Sequence, residues 1–248
     1  MRTLVVLPTY EEAATVGTVL RGVRAALPDA TVLVVDDGSP DGTAALAEAA
    51  GQELGGVVVM HRGRKAGLGS AYREAFAWGL DRGFEVLVEM DADLSHDPAA
   101  LEGLVEPLAR GVELVIGSRY VPGGSIPSWK LWRRALSRGG NVYSAAMLGL
   151  QVADLTSGYR AWSAALLRRV DLAAARAEGY GFQIEMVDLA TAAGATVVEV
   201  PICFVDRAEG RSKMSPRIMA EALALVTWWG VMRLTGRRQS LGRAISPR

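Results

Sequence analysis

Cysteine, histidine and long apolar runs are what this sequence has least of. Its 248 residues hold one cysteine and two histidines. A single cysteine, Cys203, excludes an intramolecular disulfide framework and any cysteine-rich zinc site, and it fits a reducing compartment. It falls in an apolar run and reads as a core residue rather than a nucleophile. His61 and His96 are the only histidines, and there is no G-x-S-x-G elbow, so nothing points to nucleophilic catalysis. The longest apolar stretch, residues 222–232, is well under the ~18–20 residues needed to cross a bilayer. The run before Pro8 is too short for a signal-peptide core. Net charge is also absent, with 27 Lys+Arg against 27 Asp+Glu.

What is present is enough for a core: half the residues are hydrophobic, which excludes disorder and low-complexity classes. The length suggests one large domain, or one domain with a short appendage. The zero net charge hides a division. Residues 1–125 carry 10 Lys+Arg and 18 Asp+Glu, a balance of −8, and residues 126–248 carry 17 and 9, a balance of +8. The chain is electrically polarised along its length.

Apolar, β-branched runs recur at residues 4–7, 31–35, 56–60, 86–90 and 114–116, with helical patterns at 15–26, 43–51 and 70–80. Runs of this kind read as buried parallel strands, and their alternation with helices as an α/β sheet. Residues 154–160 read as a polar loop, a helix begins near Gly179, and residues 196–204 read as a strand demoted to an edge by Pro201. Ligands of such sheets bind at the carboxyl ends of the strands. Polar segments follow these strands: Pro8-Thr-Tyr-Glu-Glu12, Asp36-Asp-Gly-Ser-Pro-Asp41, Arg62-Gly-Arg-Lys-Ala-Gly-Leu-Gly69, Asp91-Ala-Asp-Leu-Ser95 and Ser118-Arg-Tyr120.

Asp91-Ala-Asp93 is the strongest chemical signal. Two carboxylates one residue apart at a strand end can share a hard divalent cation and leave positions for phosphate oxygens. Taken alone, Asp-x-Asp is as often a solvated turn. A calcium loop running from Asp91 to Glu102 is excluded, because its sixth position is His96 rather than glycine and Pro98 follows. A phosphatase nucleophile loop of the haloacid-dehalogenase type is a weak rival, since Asp36-Asp37 precedes the loop instead of following it. No G-x-G-x-x-G follows the first strand, which argues against a nicotinamide cofactor. Gly67-Leu-Gly69, with Arg62 and Lys65 ahead of it, is either a tight turn or a phosphate cradle at a helix N-terminus. The basic half holds two clusters, Arg133-Arg134 with Ser137-Arg138 beside Trp129 and Trp132, and Arg207 to Lys213; guanidinium groups at such spacing suit phosphate capture. Nucleic acid would want one broad basic face and no acidic site beside it. Ser215-Pro216 opens a last helical pattern with Trp228-Trp229 and then Arg233, Arg237 and Arg238, which fits either a helix on the core or an interfacial membrane helix.

Taken together these segments resemble the polyprenol-phosphate (dolichol-phosphate) mannose synthases, an inverting GT-A glycosyltransferase family, from about Leu4 to Lys213. The discriminating motifs are Asp91-Ala-Asp-Leu-Ser-His96, Gly117-Ser-Arg-Tyr120, Arg133-x-x-x-Ser137-Arg-Gly, Asp154-Leu-Thr-Ser-Gly-Tyr-Arg160, Gly181-Phe-Gln-Ile-Glu185 and Arg207-x-x-Gly-x-Ser-Lys213. The resemblance implies a GT-A, Rossmann-like mixed sheet with helices on both faces. It places a catalytic domain at residues 1–214, leaving an amphipathic helix with a basic tail at 215–248. It implies transfer of mannose from GDP-mannose to a polyprenyl monophosphate, with inversion and with Mg²⁺ or Mn²⁺. By the same resemblance Pro8, Tyr10, Glu12, Val35 and Asp37 hold the guanosine and ribose. Asp91, Ala92, Asp93 and Ser95 surround the metal and diphosphate, with Asp91, Asp93 and Ser95 as metal ligands. Arg119, Arg207 and Lys213 contact phosphates, and Arg133 and Ser137 meet the acceptor phosphate. The location implied is peripheral, on the cytoplasmic face of a membrane, with direct docking or a membrane-embedded partner protein and no nucleic acid. Two alternatives stand beside this one: the same fold using UDP-glucose or another nucleotide sugar, and a non-enzymatic subunit that binds a nucleotide sugar at the membrane.

Overall fold

The computed structural model describes residues 1–206 and 216–234. The first half alternates strand and helix: β1 (Thr3–Thr9), α1 (Val16–Ala26), β2 (Thr31–Asp36), α2 (Thr43–Leu54), β3 (Val57–His61), α3 (Leu68–Asp81) and β4 (Val86–Glu89). A short α4 (Leu101–Val105), flanked by 3₁₀ turns, leads to β5 (Leu114–Ser118). Then come α5 (Leu131–Leu148), β6 (Arg160–Ser163), α6 (Ala164–Arg169), α7 (Tyr180–Ala192), β7 (Val197–Pro201) and α8 (Pro216–Leu234).

The seven strands form one sheet in the order β3-β2-β1-β4-β6-β5-β7. All its pairings are parallel except those of β6, which runs antiparallel between β4 and β5. The sheet is therefore mixed, with helices on both faces, as expected from the resemblance. Side chains alternate across each strand. Leu4 and Val6 of β1 meet Tyr72 and Phe76 of α3 and Phe182 of α7, while Val5 and Leu7 meet Val16, Val19 and Leu20 of α1. Helix α3 sits close enough that a Cβ at Gly79 would fall 2.7 Å from the Leu4 side chain and 2.8 Å from that of Leu87.

The structure corrects three local expectations. Strand β6 starts within the segment read as a polar loop; its Ala161 and Trp162 are buried while Arg160 breaks the apolar pattern. Strand β3 is an edge strand whose side chains are partly buried or, at Val58 and His61, exposed, so its apolar run does not mean burial on both faces. Cys203 lies beyond the end of β7 and is exposed rather than in the core, in an extended segment tied by isolated bridges of Cys203 to Ser125 and of Phe204 to His96. Strand β7 is an edge ending in Pro201, as expected. Helix α8 begins where Ser215-Pro216 predicts, and its Val226 and Trp229 enter the same core as α3 and α7.

Candidate active site

The carboxyl ends of β1, β2, β4 and β5 open into one cleft of about 560 Å³. Its acidic wall follows β4. Asp91 is about one-third exposed, with a side-chain accessibility of 33%, and Asp93 is buried. The backbone N–H and the hydroxyl of Ser95 both donate to Oδ1 of Asp93, at 3.0 and 2.5 Å. The turn between them is strained: Leu94 has φ of +64°, a left-handed conformation that costs a non-glycine residue about 1–2 kcal/mol. His96 is buried, stacked on Tyr159 at 4.8 Å with Phe204 edge-on at 5.5 Å, and its Nδ1 accepts the Asp91 N–H at 3.2 Å. Burial first, then the positive charge of Arg119, lowers its pKa to about 4 against the pull of Asp93 and Asp154. The ring is neutral near pH 7 and serves as a backbone prop. Opposite Asp91, a Cβ at Gly158 would stand 3.6 Å from both carboxylate oxygens, so glycine keeps space in front of them.

The basic wall is built by β5 and α5. Arg119 follows β5 and is buried, with Nε and Nη2 donating to the two oxygens of Asp154 at 2.7 Å each. Its Nη2 also reaches the Thr156 hydroxyl at 2.7 Å, and its backbone N–H adds a third bond to Asp154 at 3.0 Å. Burial pushes the Asp154 carboxyl up, but the charge and hydrogen bonds of Arg119 overcome that and hold it below the ordinary aspartate value. The Arg119 guanidinium is held charged by the same pairing despite its burial. Arg133, on the first turn of α5, lies 3.9 Å over the Trp129 ring and pairs with Asp206 at 3.1 Å. Trp129 Nε1 donates to the same Asp206 oxygen at 2.7 Å.

At the far end, Pro8, Tyr10, Glu12 and Asp37 line the cleft with Lys65, whose Nζ sits 3.8 Å from the centre of the Tyr10 ring. Asp37 is fixed by Arg62 at 2.7 Å and by the Ala66 N–H at 3.2 Å. The floor rests on a buried polar pair: Trp162 Nε1 and Gln183 Nε2 each donate at 2.7 Å to one oxygen of Glu89, which faces Arg160 across β4 and β6. Burial raises the Glu89 carboxyl and lowers the Arg160 guanidinium, and Gln183 carries the network to the cleft.

Of the residues singled out from sequence, Pro8, Tyr10, Glu12, Asp37, Asp91, Ala92, Asp93, Arg119 and Arg133 line this one cleft. Val35 does not: its side chain is buried in the core beneath α3. Ser95 is buried behind Asp93 with its hydroxyl committed to that carboxylate. Ser137 accepts the Tyr120 hydroxyl at 2.7 Å, one turn along α5 from Arg133 and off the cleft lining. Arg207 and Lys213 lie outside the described residues. The Gly67-Leu68-Gly69 turn opens α3 as expected, but the anion at its amides belongs to the protein: Glu178 accepts the Gly69 N–H at 2.8 Å. Residue reading set Lys65 ahead of a phosphate cradle at Gly67-Leu-Gly69, whereas it lies over the Tyr10 ring; it gave no role to His96, Asp154, Thr156, Gln183 or Asp206. Asp154, Thr156, His96 and Gln183 did fall inside the discriminating motifs, and that was the available signal.

Comparison with known proteins agrees with this geometry. The family described as Glycosyl transferase family 2 matches residues 4–171. An undecaprenyl-phosphate mannosyltransferase of Micrococcus luteus is 49% identical over 243 residues, covering 98% of this chain and all of that protein. A polyprenol monophosphomannose synthase of Mycolicibacterium smegmatis is 49% identical over 231 residues, covering 93% and 87% of the two chains. Among solved structures, glucosyl-3-phosphoglycerate synthase of Mycobacterium tuberculosis with Mn²⁺, UDP and glucosyl-3-phosphoglycerate aligns with a TM-score of 0.66 at 23% identity, over 95% of this chain and 80% of that one; it shares the fold. The chain is a glycosyltransferase and belongs to glycosyl transferase family 2, in the same family as these two polyprenyl-phosphate mannosyltransferases.

Proposed function

We propose that this enzyme transfers mannose from GDP-mannose to a polyprenyl monophosphate, with inversion, giving a β-mannosyl phosphoryl polyprenol. The observation that carries the reading is one cleft lined both by the carboxylates Asp91 and Asp93 and by the guanidinium groups of Arg119 and Arg133, in a chain 49% identical over most of its length to two transferases so named. A nucleotide diphosphate and an acceptor phosphate are both anions, and guanidinium groups together with a cation on the carboxylates would offset their repulsion.

Pro8, Tyr10, Glu12 and Asp37 form the nucleoside end. Asp91 and Asp93 are the residues that would hold Mg²⁺ or Mn²⁺. The donor set fits: two hard carboxylates, with no cluster of three or more acidic, His or Cys ligands among the described residues, suits a cation that also takes phosphate oxygens and water. When bound, the metal supplies charge stabilisation for the departing diphosphate. Ser95 orients Asp93, and His96 orients the backbone of Asp91. Arg119, locked on Asp154, presents a fixed positive charge to phosphate. Arg133 and, along the same helix, Ser137 stand on the acceptor side. Arg207 and Lys213 complete the phosphate contacts in this reading.

The reaction balances without a strong base. An anionic phosphate oxygen of the acceptor attacks the anomeric carbon, and the bond from that carbon to the diphosphate oxygen breaks with its electron pair leaving on GDP. The neutral, buried His96 is not required to take a proton. The acceptor's polyprenyl chain places the work at a membrane surface, and no helix among the described residues is long and apolar enough to cross one. The test is transfer of radiolabel from GDP-mannose to a short, water-soluble prenyl phosphate, with divalent cation supplied or chelated. Cation-dependent product with GDP-mannose and none with UDP-glucose is expected. Turnover with UDP-glucose alone overturns the donor.

A further inference from the structure

Two hydrogen-bond donors of the cleft converge on one point, and the anion at that point is the protein's own. Trp129 Nε1 and Arg133 Nη1 donate to the same oxygen of Asp206, at 2.7 and 3.1 Å. The Trp129 ring also joins the two arginines: its centre lies 3.9 Å from the guanidinium carbon of Arg133 and 5.7 Å from that of Arg119. Arg119, Trp129, Arg133 and Asp206 all line the cleft. Trp129 is buried, so its N–H has to keep a partner.

Asp206 ends a strap of extended chain, residues 202–206, whose backbone is well tied. The Ser125 N–H donates to the Ile202 carbonyl at 3.0 Å, and the Phe204 N–H donates back to the Ser125 carbonyl at 2.9 Å. The Val205 N–H reaches the Ser95 carbonyl at 3.2 Å, and the Asp206 N–H reaches the Ser128 hydroxyl at 3.0 Å. The carboxylate is held less firmly. The side chains of Arg133 and Asp206 are 30% and 43% exposed, and an ion pair so open to water contributes little.

Charge gives that weak hold a meaning. A phosphate monoester carries about 1.5–2 negative charges near pH 7, so a carboxylate beside it repels it. An indole N–H and a guanidinium, by contrast, both suit phosphate oxygens. Exchanging the Asp206 carboxylate for a phosphate keeps both donors satisfied and removes the repulsion. We propose that Trp129 Nε1 and Arg133 form a two-donor clamp for the phosphate of the acceptor, and that Asp206 is a placeholder whose carboxylate the phosphate displaces. The inference rests on the polyprenyl-phosphate reading for the acceptor's identity, and it gives Trp129 and Asp206 roles that reading leaves open.

The experiment follows binding of the short prenyl monophosphate to the full chain with no sugar donor present, by calorimetry and by the indole N–H signals in NMR. Trp129→Phe keeps an aromatic ring beneath Arg133, removes the N–H, and identifies the Trp129 signal by its loss. Titration of the wild type should move that signal, and Trp129→Phe should bind about three- to tenfold more weakly. Asp206→Asn keeps an oxygen for Trp129 but drops the competing charge. It should bind the prenyl phosphate about three- to tenfold more tightly, with its affinity for GDP within about twofold of wild type. In the double variant the gain from Asp206→Asn should shrink, because both changes act on one site. If Asp206 instead serves to orient Arg133, the sign reverses; weaker or unchanged binding by Asp206→Asn overturns the proposal. So does a Trp129 signal that prenyl phosphate leaves in place. Inorganic phosphate should move the same signal; if only the prenyl compound does, the site reads the chain and the clamp falls. Binding that behaves as expected in a protein that transfers no mannose leaves the clamp standing and overturns the functional reading. Normal transfer with both single variants neutral does the reverse.

Discussion

Asp154 shows how much of this site rests on residues that need never touch a substrate. It is fully buried, and its two oxygens hold the guanidinium of Arg119. Replacing it with Asn strands a buried cation, so Asp154→Asn should lose about 3–5 kcal/mol of stability by denaturant titration. The pH dependence follows from the lowered carboxyl. A native-state pKa below the ordinary 3.8 means the unfolded chain binds the proton more readily, so this contribution is present above that value and is lost as pH falls through the native pKa. Acid unfolding curves of the wild type should show that loss below about pH 4, and the Asn variant should lack it. Ser95 acts at the same scale. Its hydroxyl fixes Asp93, so Ser95→Ala should weaken activation by added Mn²⁺ about 10- to 100-fold, read in a metal titration, with little change in melting temperature. Asp93→Ala removes the carboxylate itself and should lower kcat by about 100-fold or more.

At the scale of elements, the site depends on α5 being tied to the segment before β6. Asn141 of α5 makes that tie: its Oδ1 accepts the Leu155 and Thr156 N–H groups at 2.7 and 3.2 Å, and its Nδ2 donates to Thr156 and to the Ser137 carbonyl. Asn141→Ala should cost about 1–3 kcal/mol of stability through buried backbone groups left unpaired, and should loosen Thr156 under Arg119. Hydrogen exchange at Leu155 and Thr156, faster in the variant than in wild type, checks it. This scale is also where reading the sequence met its limits. Helices α1, α2, α3 and α7 and strands β1, β2, β4 and β5 were legible because apolar periodicity and the turns that end it are local properties. Strand β6 was not. Arg160 at its start is charged and reads as loop; its burial is made tolerable by the Gln183 and Leu155 carbonyls, to which it donates at 2.7 Å each, and by the charge of Glu89 facing it across β4.

At the scale of the whole molecule, the zero net charge hides a cleft that gathers carboxylates and guanidinium groups from both halves of the chain, Asp91, Asp93 and Arg119 from the first and Arg133 from the second. Chelation of divalent cations should abolish transfer and lower the melting temperature by only a few degrees, the linkage expected of a cation bound to the native cleft alone, and restored Mn²⁺ should return activity. The sequence by itself determined the α/β alternation, the acidic strand-end pair and the polarity of the two halves, since each is set by neighbours within a few residues. It also carried, in its ordered motifs, the family to which the chain belongs. The tertiary structure decided what the motifs do to one another. It buried Val35, turned Ser95 behind Asp93, locked Arg119 on Asp154 and filled the α3 amides with Glu178. Those are pairings between residues 2 to 109 positions apart, and the shortest of them was as hidden as the longest. Which partner a polar side chain takes depends on what folding has buried beside it, because burial makes an unmet charge or hydrogen bond costly.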